Sequence, residues 1–223
     1  MIISFSSMKG GVGKTTLSSA LAIELGKLAN TVLVDMDPEQ NSASMWVSMR
    51  AELDGVNHVA TARLVDTRRL RELEDSYDFV VVDSRPYSPG ITRSLAQISG
   101  LMVLPTSASL SDIVPATDLA TKQRQHEETN TDCVACMNNI LSDAEAWRTR
   151  TLLAAGGMDV LNGWISGRIS HRMSMNQGHT ITENIRGGLA EQAGDTINEI
   201  IERASPGLID SRKNVHRLRV GAV

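Results

Sequence analysis

The 223-residue chain is long enough for one well-buried domain and requires no second. Its 41% hydrophobic and 22% charged residues exclude a disordered polymer, and the 3% aromatic content leaves the core to Val, Ile, Leu, Met and Ala. A net charge of −4 excludes a uniformly cationic polyanion binder, yet residues 211–223 carry Arg212, Lys213, Arg217 and Arg219 with no acid, a +4 tail on a body of −8.

Strand-like runs occur at 2–6, 31–36, 58–62, 78–84, 101–106, 132–137 and 160–166. Helical patterns lie between and after them, at 14–29, 41–53, 63–75, 90–99, 111–128, 142–156 and 182–204. This alternation predicts an α/β fold: a single P-loop, Rossmann-like domain with a mostly parallel sheet of about seven strands and helices on both faces. Several strand runs are apolar at successive positions, as strands covered on both sides must be. The domain is expected over 1–210, with 211–223 as a basic C-terminal tail. Cys133 and Cys136 form a CxxC, but inside a strand such positions point to opposite faces, so they read as core residues. No apolar run nears the roughly 18 residues that span a bilayer, and the chain opens directly on a strand pattern, so a cytoplasmic location is expected.

The first strand runs into "SMKGGVGKTT", residues 7–16, and then a helix. Strand, glycine-rich turn and helix are the context a phosphate loop requires. Gly10, Gly11 and Gly13 let backbone N–H groups curl around phosphate oxygens, and the helix start adds its positive dipole end. Lys14 would meet the β- and γ-phosphates and the Thr15 hydroxyl would meet Mg²⁺. The pattern GxxxxGK(S/T) asks for glycine at position 8, where the chain has Met8 followed by a second lysine, Lys9. A dinucleotide loop is excluded, because Thr16 stands at the third glycine position of GxGxxG.

"KGGVGKTT" resembles the deviant Walker A motif of the ParA/MinD superfamily of ATPases, whose hallmark is the early lysine. The resemblance implies ATP and Mg²⁺ as cofactors, a homodimer formed on ATP binding, and nucleotide contacts from Lys9, Gly10, Gly11, Val12, Gly13, Lys14, Thr15 and Thr16. It implies that Lys14 serves its own nucleotide and Lys9 the one held by the other subunit. "DMDPEQN" is similar to the family's DxDPQGN switch, which makes Asp37 the residue that orients the attacking water and a candidate Mg²⁺ ligand. Asn41 belongs to that switch, and Asp35 supports the metal and the loop. The chain has "EQN" where the family has "QGN" and so lacks a glycine. "YDFVVVDSRP" reads as a Walker B strand ending on Asp83, an acid suited to Mg²⁺ because an unpaired buried carboxylate is costly. By the same resemblance Asn138 is placed beside adenine, Lys9, Lys14 and Asp37 form the catalytic set, and Thr15, Asp37 and Asp83 the metal set. "WISGRISHRMSMNQGHTI" is similar to the family's IPRxxxxxEAxxxG stretch, with Ser166 in place of proline.

The resemblance further implies a partition ATPase that binds DNA non-specifically as a dimer, is nucleoid-associated, and is stimulated by a ParB-like adaptor; VirC-type relatives share this pattern. Arg212, Lys213, Arg217 and Arg219 are the DNA-contact candidates, with Arg168, Arg172 and Arg186 as others. Two alternatives stand beside it. A MinD-like membrane ATPase would need a bulkier apolar face than Val215, Leu218 and Val220 provide. A metabolic P-loop ligase resembling dethiobiotin synthetase would not need Lys9.

Overall fold

In the computed structural model, which describes residues 1–124, 131–183 and 187–211, all seven strand runs join one sheet. They are β1 (Ile2–Phe5), β2 (Thr31–Asp35), β3 (Ala60–Arg63), β4 (Phe79–Asp83), β5 (Leu101–Thr106), β6 (Asp132–Ile140) and β7 (Asp159–Ser166). Their spatial order is β3-β2-β4-β1-β5-β6-β7, and each neighbouring pair is parallel. Eight helices accompany them among the described residues: α1 (Lys14–Gly26), α2 (Ser42–Ala51), α3 (Leu70–Glu74), α4 (Pro89–Ile98), α5 (Leu110–Arg124), α6 (Asp143–Ala155), α7 (Ile169–Asn176) and α8 (Leu189–Ala204).

Side chains alternate across each strand, so the sheet generates two separate cores. Ile3, Phe5, Leu33, Val81 and Val103 pack with Leu17 and Leu21 of α1, Trp46 of α2 and Ile197 and Ile200 of α8. Ile2, Val32, Val80, Val82 and Met102 face the other way, against Leu70 of α3, Leu95 of α4, Ile113 of α5 and Leu153 of α6. The cysteines divide as their spacing requires, Cys136 in the first core and Cys133 against the second. Burial pushes both thiols up to about 12, so neither is a thiolate near neutral pH.

Three element assignments are corrected by the structure. The 63–75 pattern yields only the five-residue α3, because Asp66 Oδ1 accepts the Arg68 N–H at 2.9 Å and turns the chain before Leu70. The last helix starts at Leu189 instead of 182, after Gly187 and Gly188, which both hold positive φ (77° and 76°) that a right-handed helix cannot use. α7 is a further helix; its polar sequence "ISHRMSMN" offers little apolar periodicity.

The helix that follows β2 is fixed by a buried cation. Arg50, at 1% exposure, donates to Glu183 Oε1 and Oε2 at 2.8 and 2.9 Å, to Asn57 O at 2.6 Å and to Gly178 O at 2.9 Å. Its guanidinium lies 5.3 Å from the centre of the Trp46 ring. Gly178 must be glycine here: its φ is +79°, and a Cβ would come within 2.9 Å of the Arg50 backbone. Burial opposes the charge on Glu183, but the Arg50 hydrogen bonds, the Thr180 N–H and the nearby cations prevail and hold the carboxyl down at about 2. Because that value lies below the unfolded-state value of 4.5, the stabilisation is complete above pH 4.5 and disappears as pH falls toward 2. Glu183→Gln is therefore expected to lower the unfolding free energy by about 2 kcal/mol at pH 7. Urea titrations at several pH values should show the gap to wild type closing below pH 4.5.

Candidate nucleotide site

Parallel strands present ligands at their C-terminal ends. Register brings Phe5 and Asp35 level with Asp83 on the neighbouring strands β1, β2 and β4, so Asp83 stands between the loop after β1 and Asp35. Gly11 and Gly13 take positive φ (77° and 101°), and Gly13 directly precedes α1, so the loop curls with its N–H groups toward the helix start. A Cβ at Gly13 would lie 2.0 Å from Asn138 Nδ2, and that amide donates to Val12 O at 2.8 Å. Asn138 thus braces the loop from β6. Beside Gly10 and Gly11 a Cβ would meet nothing within 4 Å, which is the open cradle a phosphate needs.

The cradle opens into a cavity of about 250 Å³, lined among others by Gly11, Lys14, Thr15, Thr16, Asp37 and Asp83. Lys14 is buried, and its ammonium donates to Ser7 Oγ and Lys9 O, both at 3.1 Å. Burial lowers its pKa, against the pull of Asp83 and Asp37. Asp83 is equally enclosed: Oδ2 accepts the Thr15 hydroxyl at 2.6 Å, whereas Oδ1 is buried without a hydrogen-bond partner. Burial pushes its carboxyl up to about 7. A half-partnered carboxylate beside a hydroxyl fits a hard divalent cation, which takes oxygen ligands and repays the desolvation of the acid. These residues thus fit the nucleotide and metal that the sequence implied.

The two acids after β2 occupy different positions. Asp35 is buried and fully used, accepting from Asp37 N at 3.0 Å, Ser44 N at 2.9 Å and Ser44 Oγ at 2.8 Å, which ties the start of α2 to the strand. Asp37 lines the cavity, and its Oδ1 accepts from the N–H groups of Glu39 and Gln40 at 3.2 and 3.1 Å. Asn41 holds a left-handed conformation (φ 50°) and donates to Pro38 O at 2.9 Å, so the turn reaches α2 without the family's glycine.

Lys9 stands apart from Lys14. Its ammonium lies 3.0 Å from Asp112 Oδ1 at the start of α5, and Ser107 Oγ donates to Asp112 Oδ2 at 2.6 Å. Lys9 contributes no lining to the cavity that holds Lys14. Sequence reading missed Asp112; its one signal is an acid in the first turn of a helix following a strand. It also missed Ser7 and Ser44, ordinary hydroxyls until the fold brings them to Lys14 and Asp35. Arg85 turns within its own loop, donating to Ser88 Oγ at 3.1 Å. Arg212, Lys213, Arg217 and Arg219, and also Arg186, lie outside the described residues.

Comparison with known proteins points the same way. The family model of an AAA domain matches residues 1–62. The chain is 26% identical over 210 residues to the maintenance of carboxysome distribution protein A of Halothiobacillus neapolitanus, covering 92% of this chain and 96% of that protein. It is 34% identical over 98 residues to the chromosome partitioning protein ParA of Myxococcus xanthus, 44% of this chain and 34% of that one. Among solved structures, the ATP complex of Cyanothece McdA superposes with a TM-score of 0.73 at 13% identity, covering 90% of this chain and 96% of that chain. With the strand order, the phosphate loop and its early lysine already in place, the likeness is direct: in sequence and in fold the chain is similar to the ATPases of the ParA/MinD family.

Proposed function

We propose that this ATPase is a positioning switch: ATP draws two chains into a sandwich dimer, the dimer binds DNA without sequence preference, and hydrolysis, stimulated by a ParB-like adaptor, releases it. In this reading Gly10, Gly11, Val12, Gly13, Lys14, Thr15 and Thr16 hold the nucleotide, and Asn138 fixes the loop near its base. Mg²⁺, held by Thr15 and Asp83 with Asp37 beside them, would neutralise phosphate charge. Asp37 orients the attacking water. The named functions of relatives, carboxysome distribution in one and chromosome partitioning in another, support a cargo-positioning role.

The observation that carries the reading is the divergence of the two lysines. Lys14 points into the cradle of its own chain, while the Lys9 ammonium is outside that cavity, beside Asp112. One protomer therefore has no internal use for Lys9 at its own phosphates. Across a sandwich of two triphosphates, where water is excluded, an ammonium from each side offsets a repulsion that would otherwise forbid the approach. DNA binding then follows by linkage: ATP favours the DNA-bound state only as far as the dimer binds DNA better than the single chain. Pairing the chains also doubles the cations of the tail, Arg212, Lys213, Arg217 and Arg219.

With a nonhydrolysable ATP analogue and Mg²⁺, analytical ultracentrifugation should give twice the mass of one chain. Lys9→Ala should remain single while keeping its nucleotide-induced thermal shift. A Lys9→Ala protein that dimerises like wild type would remove the basis of the proposal. DNA retention should need ATP and weaken as salt rises, with a log–log slope of roughly −0.9 for each phosphate neutralised. Deleting residues 211–223 should make that slope shallower if the tail supplies the contacts. For the metal, Asp83→Asn should lose most of the stabilisation that Mg²⁺ adds to the nucleotide complex, roughly 2 kcal/mol at a hundredfold excess over Kd. Differential scanning fluorimetry with and without Mg²⁺ measures it.

A further inference from the structure

Parallel register sets three residues level near the C-terminal ends of their strands: Asp83 on β4, Asp35 on β2 and Arg63 on β3. Level residues on parallel strands point to the same face, so from the interior of the sheet to its β3 edge the row reads acid, acid, cation. Asp35 is 3% exposed, and among the described residues its carboxylate is met by neutral donors, Asp37 N–H on Oδ1 and the N–H and hydroxyl of Ser44 on Oδ2. The cation stands one bond further out: Arg63 Nε donates to Ser44 Oγ at 3.0 Å. We infer that Arg63 is a positioning residue, which acts through Ser44 and Asp35 to fix the backbone of Asp37 beside the nucleotide cavity.

A serine hydroxyl carries one proton and two acceptor positions. With Arg63 on an acceptor position, the Ser44 proton is directed to Asp35, and the guanidinium charge polarises that O–H toward the carboxylate and strengthens the bond. The series therefore runs without a gap from Arg63 at the sheet edge, through the Ser44 hydroxyl and the two oxygens of Asp35, to the N–H of Asp37. Asp37 lines the cavity and its Oδ1 accepts from Glu39 and Gln40, so a shift of its backbone moves the acid and the turn together. Arg63 does not line the cavity, and its two terminal nitrogens make no hydrogen bond or ion pair among the described residues. An exposed arginine ordinarily leaves its long side chain to solvent, because ordering it costs entropy. Here that side chain is ordered against Ser44, a hydroxyl residue that is itself buried.

The effect on turnover rests on the proposed role of Asp37 in orienting water, whereas the effect on its backbone does not, and the two are read separately. In the nucleotide-free chain, Arg63→Met should raise amide hydrogen exchange at Asp37 and Ser44 roughly tenfold by NMR. Exchange at Asn162, whose N–H is held by Glu199 at the β7 edge of the sheet, should stay as in wild type. With ATP and Mg²⁺ the same variant should lower kcat roughly tenfold and leave KM unchanged, as a misplaced group does and a lost nucleotide contact does not. In a Ser44→Ala background, Arg63→Met should change neither exchange nor kcat further. Unaltered exchange at Asp37 would reduce the Arg63 bond to an incidental surface contact and overturn the inference. An equal rise at Asn162 would mark general loosening, and an Arg63 effect that persists in full without the Ser44 hydroxyl would mark another route; either rejects it. A raised KM at constant kcat would make Arg63 a nucleotide contact and reject it as well. If exchange responds while kcat falls in Asp37→Ala alone, the series is idle in turnover and the positioning role is lost. If exchange responds while kcat is unchanged in both Arg63→Met and Asp37→Ala, the positioning of Asp37 stands and the role proposed for Asp37 fails instead.

Discussion

The structure depends on burying an ammonium and a carboxylate at the end of an otherwise apolar sheet. Lys14 and Asp83 are both enclosed, and burial works against the charge of each, lowering the pKa of one and raising that of the other. Such groups are tolerated only where partners meet them. The chain supplies part of the requirement: Ser7 Oγ and Lys9 O for the lysine, and the Thr15 hydroxyl for the acid. The remaining deficit, an orphaned Asp83 oxygen and an open glycine cradle, is what a phosphate and a cation answer. Ligand affinity and native strain are therefore two descriptions of one arrangement.

Holding that arrangement requires rigid surroundings, and α2 shows how they are built. Its start is tied to β2 through Asp35 and Ser44, and its end is locked by Arg50 to Glu183 and Gly178, more than a hundred residues away in sequence. Only the short turn between Asp37 and Asn41 lies between the strand and the helix, so rearrangement around the nucleotide is confined there unless the Arg50 lock opens. Breaking one partner of such a buried pair costs far more than the pair contributes relative to an apolar replacement. The geometry favours a fixed helix with a narrow adjustable turn.

What could be read from the sequence was local. "GGVGKTT" carries its meaning in consecutive residues, and "VVVD" announces both a buried strand and the acid at its tip, so the fold class, the order of seven strands along the chain and the acids around the cradle were all legible. Arg50 was not, because nothing in "SMRAEL" indicates a guanidinium that reaches Gly178 and Glu183, beyond residue 177. Asp112 looked like an ordinary first-turn acid for the same reason. α7 was missed because its helix is set by the surroundings of His171 and Ser174, both buried, and not by a stripe of apolar residues.

In the proposed sandwich dimer, the Lys9–Asp112 pair would let the early lysine serve as a switch component. In the single chain the ammonium is not idle, but its bond to Asp112 is partly exposed, and pairs of that kind contribute about 1 kcal/mol or less. In that proposed dimer, a triphosphate approached from outside, in a seam that expels water, would offer a greater charge in a lower dielectric, so exchanging one partner for the other would run downhill only with a second, loaded subunit present. Asp112 thus keeps Lys9 positioned and solvated at small cost until that moment. A stronger bond would hold the lysine at home, whereas the absence of any partner would leave a flexible side chain whose ordering had to be offset entirely by the dimer.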